Sequence, residues 1–209
     1  MENNSICSFK AFKDMELGKG ELGLILGERG SGKTACLINM GIEGMLEGLK
    51  VLHVSLDDVP DRVESYYEVK IKEAIRLKDI KDMGFHDIEI KKTILSYLDQ
   101  SFNVEKLESA IKNLGDPFDI MLIDGLETEN MDVFTGIKEM SQENGLKTWI
   151  TYSLNKYKEN EDKLEDIFEV ILRLYSDHAS AYALLLKGKK GIMKEEIRLR
   201  LDPRTFFVK

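Results

Sequence analysis

The sequence is poor in several residue types, and each shortage excludes a class of protein. It has only two cysteines, Cys7 and Cys36, too few for a disulfide framework or a four-thiolate zinc site. We therefore expect reduced thiols in an intracellular protein. Lys and Arg number 30 against 38 Asp and Glu, and the net charge of -8 excludes a protein that holds nucleic acid through bulk positive charge. No apolar run approaches the ~20 residues of a membrane helix, and the N-terminus lacks the pattern of a signal peptide. These absences predict a cytoplasmic protein with no membrane contact.

The chain has no segment typical of a linker, a repeat or a low-complexity tract, which predicts a single domain over residues 1–209 with an N-terminal extension at 1–16. Short apolar runs alternate with amphipathic stretches, a pattern that favours an α/β fold with a mostly parallel central sheet and helices on both faces. The predicted strands are 22–26, 51–56, 88–98, 118–123 and 148–152, and the predicted helices are 33–48, a helix capped by Asp58, 104–114 and about 134–144.

The last third of the sequence differs, because its apolar runs leave no room for helices between them. Strands are predicted at 170–174, 182–186 and 197–201. In the last of these, apolar residues alternate strictly with Arg198 and Arg200. This alternation indicates an antiparallel C-terminal extension on one edge of the parallel sheet.

One motif dominates the sequence. Residues 27–34, Gly-Glu-Arg-Gly-Ser-Gly-Lys-Thr, fit the phosphate-binding loop G-x-x-x-x-G-K-[ST] at every fixed position. A predicted strand ends at Leu26 and a predicted helix begins at Lys33, a context that disfavours a chance match. Glycines let successive backbone N–H groups surround a phosphate, and the helix N-terminus attracts the same anion. Lys33 would reach the β- and γ-phosphates, and the Thr34 hydroxyl would bind Mg²⁺. We therefore predict ATP and Mg²⁺ as cofactors, with nucleotide contacts from Gly27, Gly30, Ser31, Gly32, Lys33, Thr34 and Cys36.

Aspartates at the ends of two predicted strands are candidates for metal binding and catalysis. Asp124 follows the apolar run 118–123, so its carboxylate should emerge at the carboxyl edge of the sheet as a second Mg²⁺ anchor, although Asp124-Gly125 also fits a plain turn. Asp57 and Asp58 end the strand after the phosphate loop. Since Asp58 is a candidate helix cap, we expect Asp57 to orient the water that attacks the γ-phosphate.

Beyond the phosphate loop, the sequence resembles the RecA-like ATPase core, and more narrowly the motor domain of DnaB-type replicative helicases. The similar segments are Leu-Gly-Lys-Gly-Glu-Leu at 17–22, Val-Ser-Leu-Asp at 54–57, Tyr-Ser-Leu-Asn-Lys at 152–156, Lys-Gly-Lys-Lys-Gly at 187–191 and Asp-Pro at 202–203. The resemblance implies an ATPase that acts on DNA in replication or recombination as a homo-oligomeric ring or filament. It places Lys189 at the arginine-finger position, which reaches the γ-phosphate of a neighbouring subunit, with Lys187 as its basic companion.

The resemblance also implies a basic loop, with Lys156, Lys158 and Lys163, that faces single-stranded DNA in a central channel, and replication or recombination proteins as partners. The chain departs from the family at three positions: Asp57 stands for Glu, Ser153 for Gln and Lys189 for Arg. These departures leave a second interpretation open, a nucleotide-dependent assembly or regulatory module with weak or no hydrolysis and no helicase activity. A small-molecule kinase is disfavoured because no Arg-rich lid is evident.

Overall fold

A computed structural model describes residues 13–78, 84–97, 101–176 and 180–208. The strands are β1 (Leu22–Gly27), β2 (Val51–Ser55), β3 (Lys92–Ser96), β4 (Ile120–Asp124), β5 (Lys147–Ser153), β6 (Val170–Ser176), β7 (Ala181–Gly188) and β8 (Gly191–Leu201). The helices are α1 (Lys33–Leu46), α2 (Pro60–Lys78), α3 (Phe85–Glu89), α4 (Val104–Leu114), α5 (Met131–Asn144), α6 (Leu154–Glu159) and α7 (Glu161–Ile167), preceded by a 3-10 turn at Lys13–Met15.

The eight strands form one sheet in the order β3-β2-β4-β5-β1-β6-β7-β8. The first six strands of this order are parallel, whereas β7 and β8 are antiparallel to their neighbours. The predicted α/β class and its antiparallel C-terminal edge are therefore confirmed. Two neighbour relations matter for the site: β5 lies between β1 and β4, and β2 lies beside β4.

The core lies on both faces of the sheet, because successive side chains of a strand point to opposite sides. In β1, for example, Ile25 packs into one buried cluster with α1 and α2, and Leu24 packs into the other with α4, α5 and α7. Trp149 is 8% exposed, so the prediction that it belongs to the core is confirmed. Its ring covers Gly23, where a Cβ atom would come within 2.3 Å of the indole. A larger residue at 23 would displace this ring.

Helix ends are partly as predicted. Gly115 and Gly145 end α4 and α5 with φ of 70° and 64°, a left-handed conformation that glycine adopts without strain. The predicted cap at Asp58 is wrong: α2 begins at Pro60, directly after Val59, and Asp58 forms an ion pair with Arg62 instead.

Two other predictions are corrected by the structure. Residues 88 and 89 belong to α3, not to a strand, because the Asp87 carboxylate accepts the Gly84 N–H and starts a helical turn, so β3 begins only at Lys92. Residues 154–167, predicted as a loop, form α6 and α7. Cys7, residues 1–12 of the predicted extension and Leu98 lie outside the described residues. Among the described helices, none is long and apolar enough to cross a membrane.

Candidate nucleotide-binding site

The phosphate loop joins the carboxyl end of β1 to the N-terminus of α1. Gly30 and Gly32 have φ of 80° and 89°, so glycine is needed to turn the backbone at both positions. At Gly27 a Cβ atom would lie 2.1 Å from the Ser31 hydroxyl, which folds back against the loop. Ser31 is 8% exposed, and within the described residues its hydroxyl has no hydrogen-bond partner. A buried, unpaired hydroxyl inside a loop of glycines fits a phosphate oxygen as its partner.

Lys33 spans the mouth of this loop. Its ammonium donates to the backbone carbonyls of Gly27 at 2.9 Å and Glu28 at 3.1 Å. An ammonium has three protons, so one donor is left for a ligand. Burial lowers the pKa of Lys33, while the negative charges of Glu127, Asp124 and Asp57 oppose that shift. The charge of Lys33 thus faces carboxylates on the strand ends across the site.

Asp124 is the most constrained side chain of the site. It is 4% exposed, and its Oδ1 accepts a 2.7 Å hydrogen bond from Thr151 on β5. Thr34, at the start of α1, also hydrogen-bonds to this carboxylate. Burial raises the pKa of Asp124, against the hydrogen bonds from Thr151 and Thr34 and the charge of Lys33, which lower it. The predicted metal ligands Thr34 and Asp124 are therefore adjacent, although they belong to a helix and a strand and lie 90 residues apart in the chain.

Asp57 and Asp58 have different environments. Asp57 is exposed, and its carboxylate packs against Gly125, where a Cβ atom would lie 2.4 Å away. Because Gly125 follows Asp124, Asp57 borders the predicted metal site. Asp58 points away and forms a 3.0 Å ion pair with Arg62. Sequence reasoning selected Asp57 for the same role that this position favours.

Three predicted residues do not lie in the site of their own chain. Lys189, in the β7–β8 turn, forms a 2.8 Å ion pair with Glu21, which precedes β1, whereas the phosphate loop follows β1. Six residues of strand separate the two ends by roughly 20 Å. Lys187 donates its ammonium to the carbonyls of Glu165 and Phe168 at the end of α7. Cys36 is fully buried in the core, and burial raises the pKa of its thiol to about 12, so its side chain is not a nucleotide contact.

The predicted basic loop also differs from expectation. Lys156 lies on α6, where its ammonium donates to the carbonyl of Glu127 at 2.8 Å and lies 3.4 Å from the carboxylate of the same residue. Lys158 lies on α6 and Lys163 on α7 among Glu159, Glu161, Asp162, Glu165 and Asp166. Acidic side chains therefore outnumber basic ones on these two helices.

The site opens into a cavity of about 880 Å³ that extends from the phosphate loop to α2. Ala35 and Ile38 of α1 and Tyr66 and Val69 of α2 form an apolar and aromatic wall, which the sequence did not reveal. Ser153, at the position of the family's sensor, also lines the cavity. Tyr66 could have been suspected only from its place two turns after Asp57, a weak signal.

The C-terminal segment closes one side of the phosphate loop. The Phe206 ring packs on Gly32, where a Cβ atom would come within 2.2 Å of it, and Phe206 itself has a φ of 58°. The carbonyl of Thr205 accepts hydrogen bonds from Asn39 at 2.9 Å and from Lys70 at 3.1 Å. These contacts fix residues 205 and 206 against α1 and α2.

Comparison with known proteins gives structural likeness only. No protein-family model and no curated protein sequence matches the chain. Among solved structures, the ATPase domain of a DnaB-like helicase superposes with a TM-score of 0.70 at 13% identity, over 99% of this chain and 89% of that one. Flagellar accessory protein FlaH from Methanocaldococcus jannaschii superposes with a TM-score of 0.68 at 14% identity, over 98% of this chain and 96% of that one. The chain therefore has the fold of the RecA-like P-loop ATPases.

Proposed function

We propose that this protein binds Mg-ATP and hydrolyses it to ADP and inorganic phosphate. The observation that carries the proposal is the convergence of Lys33, Thr34, Asp124 and Asp57 at one edge of the sheet, with Thr34 hydrogen-bonded to Asp124. The neighbouring structures are ATPase domains by name or by fold, which supports an ATPase at the level of the fold.

Mg²⁺ fits the residues of the site. Within the described ranges no group of three or more His, Cys, Asp or Glu side chains is placed to hold a metal. Mg²⁺ bound with a nucleotide needs only one or two protein ligands, since phosphates and water complete its octahedron. Thr34 and Asp124 would be those ligands. The ion would neutralise charge that develops on the phosphate oxygens.

The side chains of the chain itself would perform the remaining steps. Lys33 turns from the loop carbonyls to the β- and γ-phosphates, and the Ser31 hydroxyl donates to a phosphate oxygen. Asp57 orients a water molecule and accepts its proton as the water oxygen bonds to the γ-phosphorus. The bond from the γ-phosphorus to the bridging oxygen breaks, and ADP leaves.

We propose further that hydrolysis is completed between subunits of a homo-oligomer. Lys189 lies at the sheet edge opposite its own phosphate loop, so its ammonium is placed to act only on the nucleotide of a neighbour. Its ion pair with Glu21 would have to exchange for a phosphate at that interface. An oligomer of this kind, associated with DNA in replication or recombination, agrees with the sequence resemblance.

A second candidate function is a nucleotide-dependent assembly module with little hydrolysis. The shorter Asp57 carboxylate favours it, because a ~1 Å displacement of a catalytic group lowers a rate by about 10²-fold. The ion pair of Lys156 with Glu127 also favours it over a DNA-translocating motor.

Phosphate release measured in Mg²⁺ and in EDTA tests the proposal. We expect hydrolysis that requires Mg²⁺ and disappears in Lys33→Ala, whereas Lys112→Ala, which removes an exposed lysine of α4, leaves it unchanged. ATP binding without phosphate release, over a range of protein concentrations, would instead establish the assembly module.

A further inference from the structure

One face of the antiparallel extension carries arginines and tyrosines in register. Residues directly opposite each other on paired strands point to the same side of the sheet, so two rows of side chains cross β6, β7 and β8 on this face. The rows, which together we name the arginine–tyrosine face, are Tyr175–Tyr182–Arg200 and Arg173–Leu184–Arg198.

This face is open to solvent, in contrast to the other face of the same strands. Ala181, Ala183 and Leu185 point the opposite way and are 0–2% exposed in the core. On the arginine–tyrosine face, Tyr175 is 52% exposed, and Arg198 and Arg200 are exposed, while the other three residues are half-buried. The long side chains therefore present a surface that a partner can contact directly.

The charge of the face is opposite to that of the whole chain. Three of its six residues are arginines, and neither row contains an aspartate or glutamate, whereas the chain has a net charge of -8. The acids closest in sequence to the two β8 arginines are Glu196 and Asp202, which lie outside both rows. The Asp202 carboxylate accepts the backbone N–H groups of residues 204 and 205 in the following turn. A local positive surface on an acidic protein is complementary to a polyanion.

The two tyrosines determine which polyanion fits. Tyr175 and Tyr182 lie opposite each other on β6 and β7, and the Arg198 guanidinium lies 5.3 Å from the centre of the Tyr182 ring. Aromatic rings and guanidinium planes on a sheet are stacking surfaces for unpaired bases, and the arginines next to them reach phosphates. Duplex DNA keeps its bases stacked inside the helix, and an acidic peptide has no flat rings to stack.

We propose that the arginine–tyrosine face binds single-stranded nucleic acid, with bases on Tyr175 and Tyr182 and phosphates on the arginines. The site is distinct from α6 and α7, where the sequence predicted the nucleic-acid contact, and it lies on the antiparallel part of the sheet, away from the phosphate loop. Binding at this face does not require ATP hydrolysis.

Fluorescence anisotropy with a labelled single-stranded oligonucleotide of about 20 nucleotides, longer than one such site, tests the proposal with and without a non-hydrolysable ATP analogue. We expect salt-sensitive binding, and a lower slope of log Kd against log salt, by about 1.4, in Arg198→Gln/Arg200→Gln, since each cation contributes about 0.7 on a single strand. Tyr175→Ala should raise Kd about fivefold or more. Lys106→Gln/Lys112→Gln on α4 removes the same charge and should keep the wild-type Kd and slope.

Exposed positions were chosen so that the variants fold, which circular dichroism and ATP binding verify. Lys33→Ala should still bind the oligonucleotide, and this result separates the proposal from that of ATP hydrolysis. Several results would overturn it: no binding by the wild-type protein, wild-type affinity in both face variants, or loss of affinity only in Lys156→Gln/Lys158→Gln. Equal competition by poly-glutamate would show an acidic-peptide surface instead, and a shift from oligomer to monomer in the arginine variant would show a contact between copies.

Discussion

Thr151 Oγ1 donates a 2.7 Å hydrogen bond to Asp124 Oδ1 and accepts the Gly125 N–H at 2.8 Å. This one hydroxyl on β5 therefore fixes both the carboxylate that would hold Mg²⁺ and the turn that carries it. Asp57 packs against the same Gly125. The hydroxyl of Thr151 thus links the candidate metal ligand to the position of the candidate base.

Thr151→Val should reduce Mg-dependent hydrolysis by about 10- to 100-fold, because outer partners of metal ligands contribute on that scale. The concentration of Mg²⁺ that gives half-maximal rate should rise. Thr148→Val is the matched control: Thr148 is on the same strand and equally buried, but its hydroxyl bonds to Ser141, far from the site. Equal losses in both variants would mean that Thr151 acts only through stability.

Asp57→Asn should lower the rate of phosphate release by ~10² or more and leave the affinity for ATP nearly unchanged, since a carboxamide cannot accept the proton of the attacking water. Asp58→Asn removes only a partly exposed ion pair with Arg62, worth at most about 1 kcal/mol of stability, and should hydrolyse ATP at a near-normal rate. A loss confined to position 58 would reverse the assignment.

Lys189→Ala and Lys33→Ala subunits should each be inactive alone and recover partial ATPase activity when mixed. In a mixed oligomer, some interfaces pair an intact phosphate loop with an intact Lys189, although both residues are too far apart to cooperate within one chain. The mixing ratio should shape the recovery as random pairing predicts. Absence of recovery, with a monomer by light scattering in every nucleotide state, would contradict the shared site.

His53 should make the protein less stable in mild acid. Its ring is fully buried, its Nδ1 is 3.1 Å from the Tyr67 hydroxyl, and burial lowers its pKa to about 4. The unfolded chain, with an ordinary pKa near 6.5, binds the proton first, so stability present above about pH 6.5 is lost as the pH falls towards 4. The loss should reach about 3 kcal/mol in urea unfolding, and His53→Gln should remove that part of the pH dependence. An unchanged profile in His53→Gln would assign it to other groups.

The parts of the site that follow from local sequence could be predicted. The loop at 27–34 carries its own motif, and Asp124 was placed because an apolar run ends at it and parallel strands end at one edge. Thr151 could not be predicted, since its contact with Asp124 depends on β5 lying beside β4, and strand order is not a local property. For the same reason the pair Lys189–Glu21, which joins residues 168 positions apart, was not expected.

The errors in secondary structure also have local causes. Ile88 and Ile90 alternate with polar residues, which is typical of a strand, yet the Asp87 carboxylate caps Gly84 and favours a helical turn. In residues 154–167 the frequent charges hide the buried face of two short helices, formed by Leu154, Tyr157 and Leu164. Long-range packing on the sheet determines both outcomes.

Calorimetric titration of Mg-ATP into the wild-type protein and Lys33→Ala tests the central claim most directly. The account predicts one nucleotide per chain and a loss of binding free energy of roughly 2–4 kcal/mol in the variant, because the phosphates lose their charged partner in a half-buried site. Wild-type affinity in Lys33→Ala, or no heat of binding with the wild-type protein, would contradict the assignment of the loop at 27–34 as the phosphate site.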